Sequence, residues 1–93
     1  MRLILYSKPG CHLCEGLQEK LEQIQNLSFE LEVRDITTRE DWFAAYQYEV
    51  PVLYLSNRRG AEGAEGSEKP LPRPSPRANV QQLEQMLRKY LAN

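Results

Sequence analysis

Ninety-three residues, 41% hydrophobic and 27% charged, amount to one small globular domain, residues 1–93, with room for a modest core. Twelve Lys and Arg against thirteen Asp and Glu leave a net charge of −1, which excludes the basic stripe of a nucleic-acid binder and a polybasic membrane anchor. The longest apolar run, Leu3-Ile4-Leu5-Tyr6, falls far short of the roughly 18–20 residues that span a bilayer and of the about 7–15 in a signal-peptide core, so a cytoplasmic, membrane-free protein is expected.

Residues 2–7 read as a short buried strand, mostly apolar, and Lys8-Pro9-Gly10 breaks it. A helical pattern follows at once. Leu13, Leu17, Leu21 and Ile24 recur at four, four and three residues, with Gln18, Glu19, Glu22 and Gln23 on the opposite face and Asn26 as terminator. Phe29, Leu31 and Val33 then alternate with Glu30, Glu32 and Arg34, the period of a strand with one wet face.

Thr37-Thr38-Arg39-Glu40 has capping-box spacing and predicts a second, short helix from about Thr38, carrying Trp42, Phe43, Ala45 and Tyr46. It must end before Val50-Pro51, because proline disfavours helical geometry in the residue it follows. Val52-Leu53-Tyr54-Leu55 predicts a third strand. Residues 57–76 differ in kind. The near-repeat Gly60 to Gly66 has little to bury and reads as a flexible loop. Prolines then fall at every second position from Pro70 to Pro76. The spacing suits polyproline. It equally suits an edge strand at 69–73, where the missing donors all face outward and Lys69, Leu71 and Arg73 pair inward.

Asn79 with Gln82 starts a third helix whose apolar face is Val80, Leu83, Leu87, Tyr90 and Leu91. The element order is therefore βαβαββα if the edge strand forms. A strand, crossover helix and second strand imply a parallel pair and an α/β fold.

The cysteines carry the chemistry. There are two, Cys11 and Cys14, in one C-x-x-C. So short a loop removes little entropy from the unfolded chain, so the pair is a poor structural staple. Placed after the first strand and opening a helix, it is the pattern of a thioredoxin-like redox site. A helix N-terminus favours a thiolate, with Lys8 and His12 as further positive groups, and can bring the Cys11 pKa from about 8.5 into the range of roughly 3.5–7.5. Cys14, one turn inside and beside Leu13 and Leu17, is expected to be buried and protonated. Cys11 is then the nucleophile and Cys14 the resolving thiol.

Leu5-Tyr6-Ser7-Lys8-Pro9-Gly10-Cys11-His12-Leu13-Cys14, followed by Val50-Pro51-Val52-Leu53, resembles the glutaredoxin-like family, in its small branch of poorly characterised members. The resemblance implies a thioredoxin fold: a four-stranded mixed sheet with helices on both faces. It further implies a cis Val50–Pro51 bond beside Cys11, with Val50 offering its backbone to an extended peptide or glutathione as an added strand. Lys8 matches the family's basic residue that meets a glutathione carboxylate. The implied partners are a disulfide-containing protein or glutathione, served by a glutathione or thioredoxin reductase system. Glutathione would act as co-substrate, with no tightly bound cofactor, in a monomer serving cell redox homeostasis and electron transport.

The departures are specific. His12 and Leu13 stand where glutaredoxins have Pro and Tyr, and Glu49 stands where they have Thr. Arg73-Pro74-Ser75-Pro76-Arg77 replaces the Gly-Gly-x-Asp that binds the far end of glutathione, leaving Asn79 or Arg77 to substitute. Disulfide exchange is thus better supported than glutathione specificity. Two other functions fit the same residues: a non-catalytic binding module for a protein partner, and a glutathione-dependent iron–sulfur cluster carrier. A zinc site is disfavoured, because Cys11, His12 and Cys14 supply at most three of four ligands. His12 and Lys8 read either as thiolate-tuning groups or as solvated side chains. Asp35 is a proton relay to Cys14 or, more commonly, a turn former. Trp42, Phe43, Tyr46 and Tyr48 are core aromatics or the lining of a peptide groove.

Overall fold

A computed structural model describes residues 2–56 and 68–91. The expected loop around the Gly-Ala-Glu repeat lies outside the described residues. The run Arg2–Ser7 forms β1, and Leu3, Ile4, Leu5 and Tyr6 are all buried because the strand lies inside the sheet and is covered on both faces. To one side β2 (Glu30–Asp35) pairs with it in parallel. To the other β3 (Val52–Ser56) pairs antiparallel, and β4 (Glu68–Pro70) extends the sheet antiparallel to β3. The order β2-β1-β3-β4 is a mixed four-stranded sheet.

Alternation along β1 sorts the core into two layers. Leu3 and Leu5 point to the face covered by α1 (His12–Glu22) and α3 (Val80–Leu91), packing with Leu17, Leu21, Leu83 and Leu87. Ile4 and Tyr6 point the other way, to Ile36 and to Trp42 and Tyr46 of α2 (Glu40–Tyr46). Helices on both faces of a mixed sheet in this order make the fold α/β and thioredoxin-like, as the sequence implies.

Four local expectations are corrected. The second helix starts at Glu40, after a turn of 3-10 helix at Ile36–Thr38, not at Thr38. The reason is Asp35, whose carboxylate accepts from the Thr37 amide (2.9 Å) and hydroxyl (2.6 Å), so the capping is done one element earlier. That commitment also makes Asp35 the turn former. The edge strand is shorter than 69–73. Leu71 still donates to Leu53 O at 2.9 Å, but continuing the register would set Arg73 opposite Pro51, which has no N–H to give. The strand begun by Phe29 starts at Glu30. Its polar face is wet at Glu30, 77% exposed, but not along its length: Arg34, with 19% of its side chain exposed, donates to the Tyr6 hydroxyl at 2.8 Å and lies over the Tyr6 and Trp42 rings. Of the four aromatics in question, Trp42 and Tyr46 join this layer at helical spacing, while Phe43 and Tyr48 are exposed.

Glu32 shares that layer. Its hydrogen bond from Arg34 (2.6 Å) holds its carboxyl below the usual range, outweighing the opposing effect of burial, with the charges of Arg34 and Arg2 adding to the same end. A depressed carboxyl pKa contributes stability that is present above the unfolded value of about 4.3 and is lost as pH falls through the folded value. The urea midpoint should therefore drop on acidification from pH 5 to pH 3, and Glu32→Gln should shallow that drop. An unchanged slope in the variant would remove Glu32 from the account.

Candidate redox site and adjoining groove

The end of β1 delivers the chain to Lys8-Pro9-Gly10, where Gly10 adopts φ +78°, a left-handed conformation that a side chain would strain. That turn lets Cys11 enter in extended geometry (φ −90°, ψ 102°) as the N-cap of α1. Its carbonyl accepts from the Glu15 amide at 3.1 Å, and its Sγ accepts from the Cys14 amide at 3.2 Å. The sulfur therefore does what a Ser or Asp oxygen usually does at a helix start. Cys11 and Cys14 are disulfide-bonded, with Cα atoms 5.2 Å apart. Cys14 is 2% exposed, whereas Cys11 is only partly buried.

The remaining expected site residues fall into two groups. His12, with 94% of its side chain exposed, and Pro51, on the far side of the cis Val50–Pro51 bond, border one cavity of about 350 Å³. Lys8 and Val50 do not line it. Lys8 Nζ donates to Gln47 O at 3.3 Å, towards the end of α2, and the Val50 amide donates to Tyr46 O at 3.1 Å. Half of the Val50 backbone pair that an added strand would use is thus engaged within the chain.

The cavity also brings in residues the sequence reading passed over. Leu13 was expected to extend the buried stripe of α1, and it is instead 55% exposed at the cavity wall. It lies one turn before Leu17, at the start of the helix, where the apolar stripe runs out over the groove instead of the core. Gly16 also lines the cavity, and a Cβ there would meet nothing within 4 Å. A glycine inside a helix costs about 1 kcal/mol against alanine, and that oddity was its only sequence signal. The opposite wall runs through Arg73, Pro74 and Pro76. Lys20 fixes that wall by donating to the carbonyls of Pro76 (3.0 Å) and Ala78 (2.5 Å). No periodicity announces such a contact.

The chain matches the model of the glutaredoxin-like domain family (DUF836) over residues 2–88. It belongs to the glutaredoxin-like family. No curated protein and no solved structure matches it. In this glutaredoxin-like domain the two residues considered as substitutes for Gly-Gly-x-Asp differ in availability. Asn79 Oδ1 accepts from the Gln82 amide (2.8 Å) and Gln82 Oε1 accepts from the Asn79 amide (3.0 Å), a reciprocal capping box that occupies both side chains. Arg77 is exposed. Glu49, in the place of the family's Thr, is bound by Arg73: its carbonyl accepts from the guanidinium, which also lies 3.8 Å from its carboxylate. Among the described residues no group of three or more His, Cys, Asp or Glu side chains is placed to hold a metal ion, and no helix is long and apolar enough to cross a membrane.

Proposed function

We propose that this glutaredoxin-like domain is a thiol–disulfide oxidoreductase in which Cys11 attacks and Cys14 resolves. The observation that carries the reading is the asymmetry of the pair: Cys11 is partly exposed at the helix N-cap with an N–H directed at its sulfur, and Cys14 is buried one turn in. The reduced Cys11 thiolate attacks a substrate disulfide, forming a mixed disulfide and releasing one substrate sulfur as a thiol. Cys14 then loses its proton and attacks Cys11 Sγ, releasing the second thiol and closing the intramolecular disulfide. Two electrons pass from the pair to the substrate. The Cys14 amide and the positive end of α1 favour the Cys11 thiolate in the first step; in the second the substrate sulfur is the leaving group. A thiol reductant, glutathione or one linked to a thioredoxin reductase, would return the electrons in the cytoplasm.

The test is the pH dependence of Cys11 alkylation in the reduced protein, followed by mass spectrometry in Cys14→Ser. The expected midpoint lies at least one unit below the unperturbed value of about 8.5. A midpoint at that value would overturn the catalytic reading and favour a binding module on a thioredoxin scaffold.

A further inference from the structure

The groove beside the disulfide is poorly matched to glutathione, whose two carboxylates need partners. Its walls are largely apolar and include Leu13, Pro51, Pro74 and Pro76. Three of the cations nearby are already engaged, while Arg77, between the lining residues Pro76 and Ala78, is exposed. Lys8 is donated to Gln47 O, Lys20 to the Pro76 and Ala78 carbonyls, and Arg73 to Glu49. At the N-terminus of α3 the Asn79–Gln82 pair already satisfies the Asn79 and Gln82 amides. Side chains of Glu15, next to the lining residue Gly16, and of Glu49 are 63% and 66% exposed, 3.6 Å from His12 and 3.8 Å from Arg73, so the approach to the groove includes two carboxylates beside basic groups.

We propose that the groove seats an apolar side chain next to the half-cystine of a protein substrate, in a neutral or basic segment, and that oxidised glutathione is a poor substrate. This assignment rests on the oxidoreductase reading and names its substrate class. The apolar side chain gains by leaving water among Leu13, Pro51, Pro74 and Pro76, which holds the segment while the Cys11 thiolate attacks its disulfide. The balance is that given above: one peptide sulfur leaves and takes up a proton, Cys14 releases the other, and the pair ends oxidised. Acidic neighbours of the half-cystine would meet Glu15 and Glu49 and bind less well.

The experiment uses the full chain, reduced with dithiothreitol and desalted. Second-order rate constants are measured with three disulfide-linked homodimeric peptides carrying Leu, Gly or Asp on both sides of the cysteine. Oxidised glutathione and the uncharged bis(2-hydroxyethyl) disulfide complete the series. Each constant is divided by that for mercaptoethanol, which removes the substrates' intrinsic reactivity. The leucine peptide is expected to exceed the glycine peptide about tenfold, and glycine to exceed aspartate and oxidised glutathione. In Gly16→Leu, which places a side chain in open space along the groove, the Leu-to-Gly ratio should fall to near one. Equal constants for Leu and Gly, a ratio that survives Gly16→Leu, or oxidised glutathione reacting as fast as the leucine peptide would each overturn the assignment while leaving disulfide exchange intact. Should Gly16→Leu not fold, the wild-type ratios decide. No reaction even with bis(2-hydroxyethyl) disulfide would overturn the oxidoreductase reading, and the assignment with it.

Discussion

Cys11→Ser is expected to bring thiol–disulfide exchange to the uncatalysed background, while Cys14→Ser accumulates a covalent mixed disulfide with its substrate. The two outcomes differ because the two sulfurs are differently placed. A serine hydroxyl at position 11 still caps α1 and accepts the Cys14 amide, so the fold should survive, but its oxygen is not ionised near neutral pH and does not attack a disulfide. Position 14 is buried, and a hydroxyl there leaves the first attack untouched and the second impossible. The check is intact-protein mass spectrometry after incubation with a disulfide substrate, beside a rate assay. An adduct of substrate mass should appear on Cys14→Ser and vanish on reduction. Full activity in Cys11→Ser, or adduct formation through Cys14 in that variant, would reverse the assignment of roles.

The largest effect on stability is expected at Leu5. It is fully buried in β1, opposite Val33 of β2 and Leu53 of β3, within the layer packed against α1 and α3. Leu5→Ala removes apolar contact and leaves a cavity that strands hydrogen-bonded on both sides cannot close, a loss of about 2–5 kcal/mol. A domain of this size commonly has only about 5–15 kcal/mol in all, so Tm should fall by 10 °C or more, at roughly 4–8 °C per kcal/mol. Leu13→Ala is the control. It removes the same atoms, yet Leu13 is more than half exposed, so its effect should stay within about 0.5 kcal/mol. Denaturant melts of the two variants measure the contrast. A small loss at Leu5 or a large one at Leu13 would mean the layering has been misassigned.

Much of the fold was legible because its signals are periodic. The apolar run at β1 reflects burial of both faces, the alternation at β2 and the stripe Leu17, Leu21, Ile24 burial of one, and burial is what composition along the chain records. The capping box at Asn79 was legible for a related reason, as a local bond between residues three apart. The disulfide-bonded pair was legible as a candidate site because a C-x-x-C opening a helix is a local pattern, like the capping box. What could not be read depends on contacts distant in sequence. Nothing near Lys20 announces carbonyls at positions 76 and 78, and nothing near Arg73 announces Glu49. The wet face of β2 held only at Glu30 for the same reason, since the arrival of Tyr6 and Trp42 turns Glu32 and Arg34 into a partly buried ion pair. Leu13 misled because a stripe tells which side of a helix is apolar, not how far along it the sheet extends.

The register of the sheet gives the molecule two poles. Arg2 pairs with Glu30 on one side and Ser56 on the other, and Ser56 with Glu68. These residues share one end, while Ser7 and Val52, next to the disulfide turn and to Pro51, share the opposite end. The start of β1 and the junctions of the 57–67 connection therefore depart from the pole away from the sulfurs, with the length of the strands between. Fluorophores, affinity tags or inserted peptides attached at that pole would report on the protein without standing in the path of a substrate. The junctions Ser56 and Glu68 are thus joined to the disulfide end through the hydrogen bonds of β3 and β4 with the rest of the sheet.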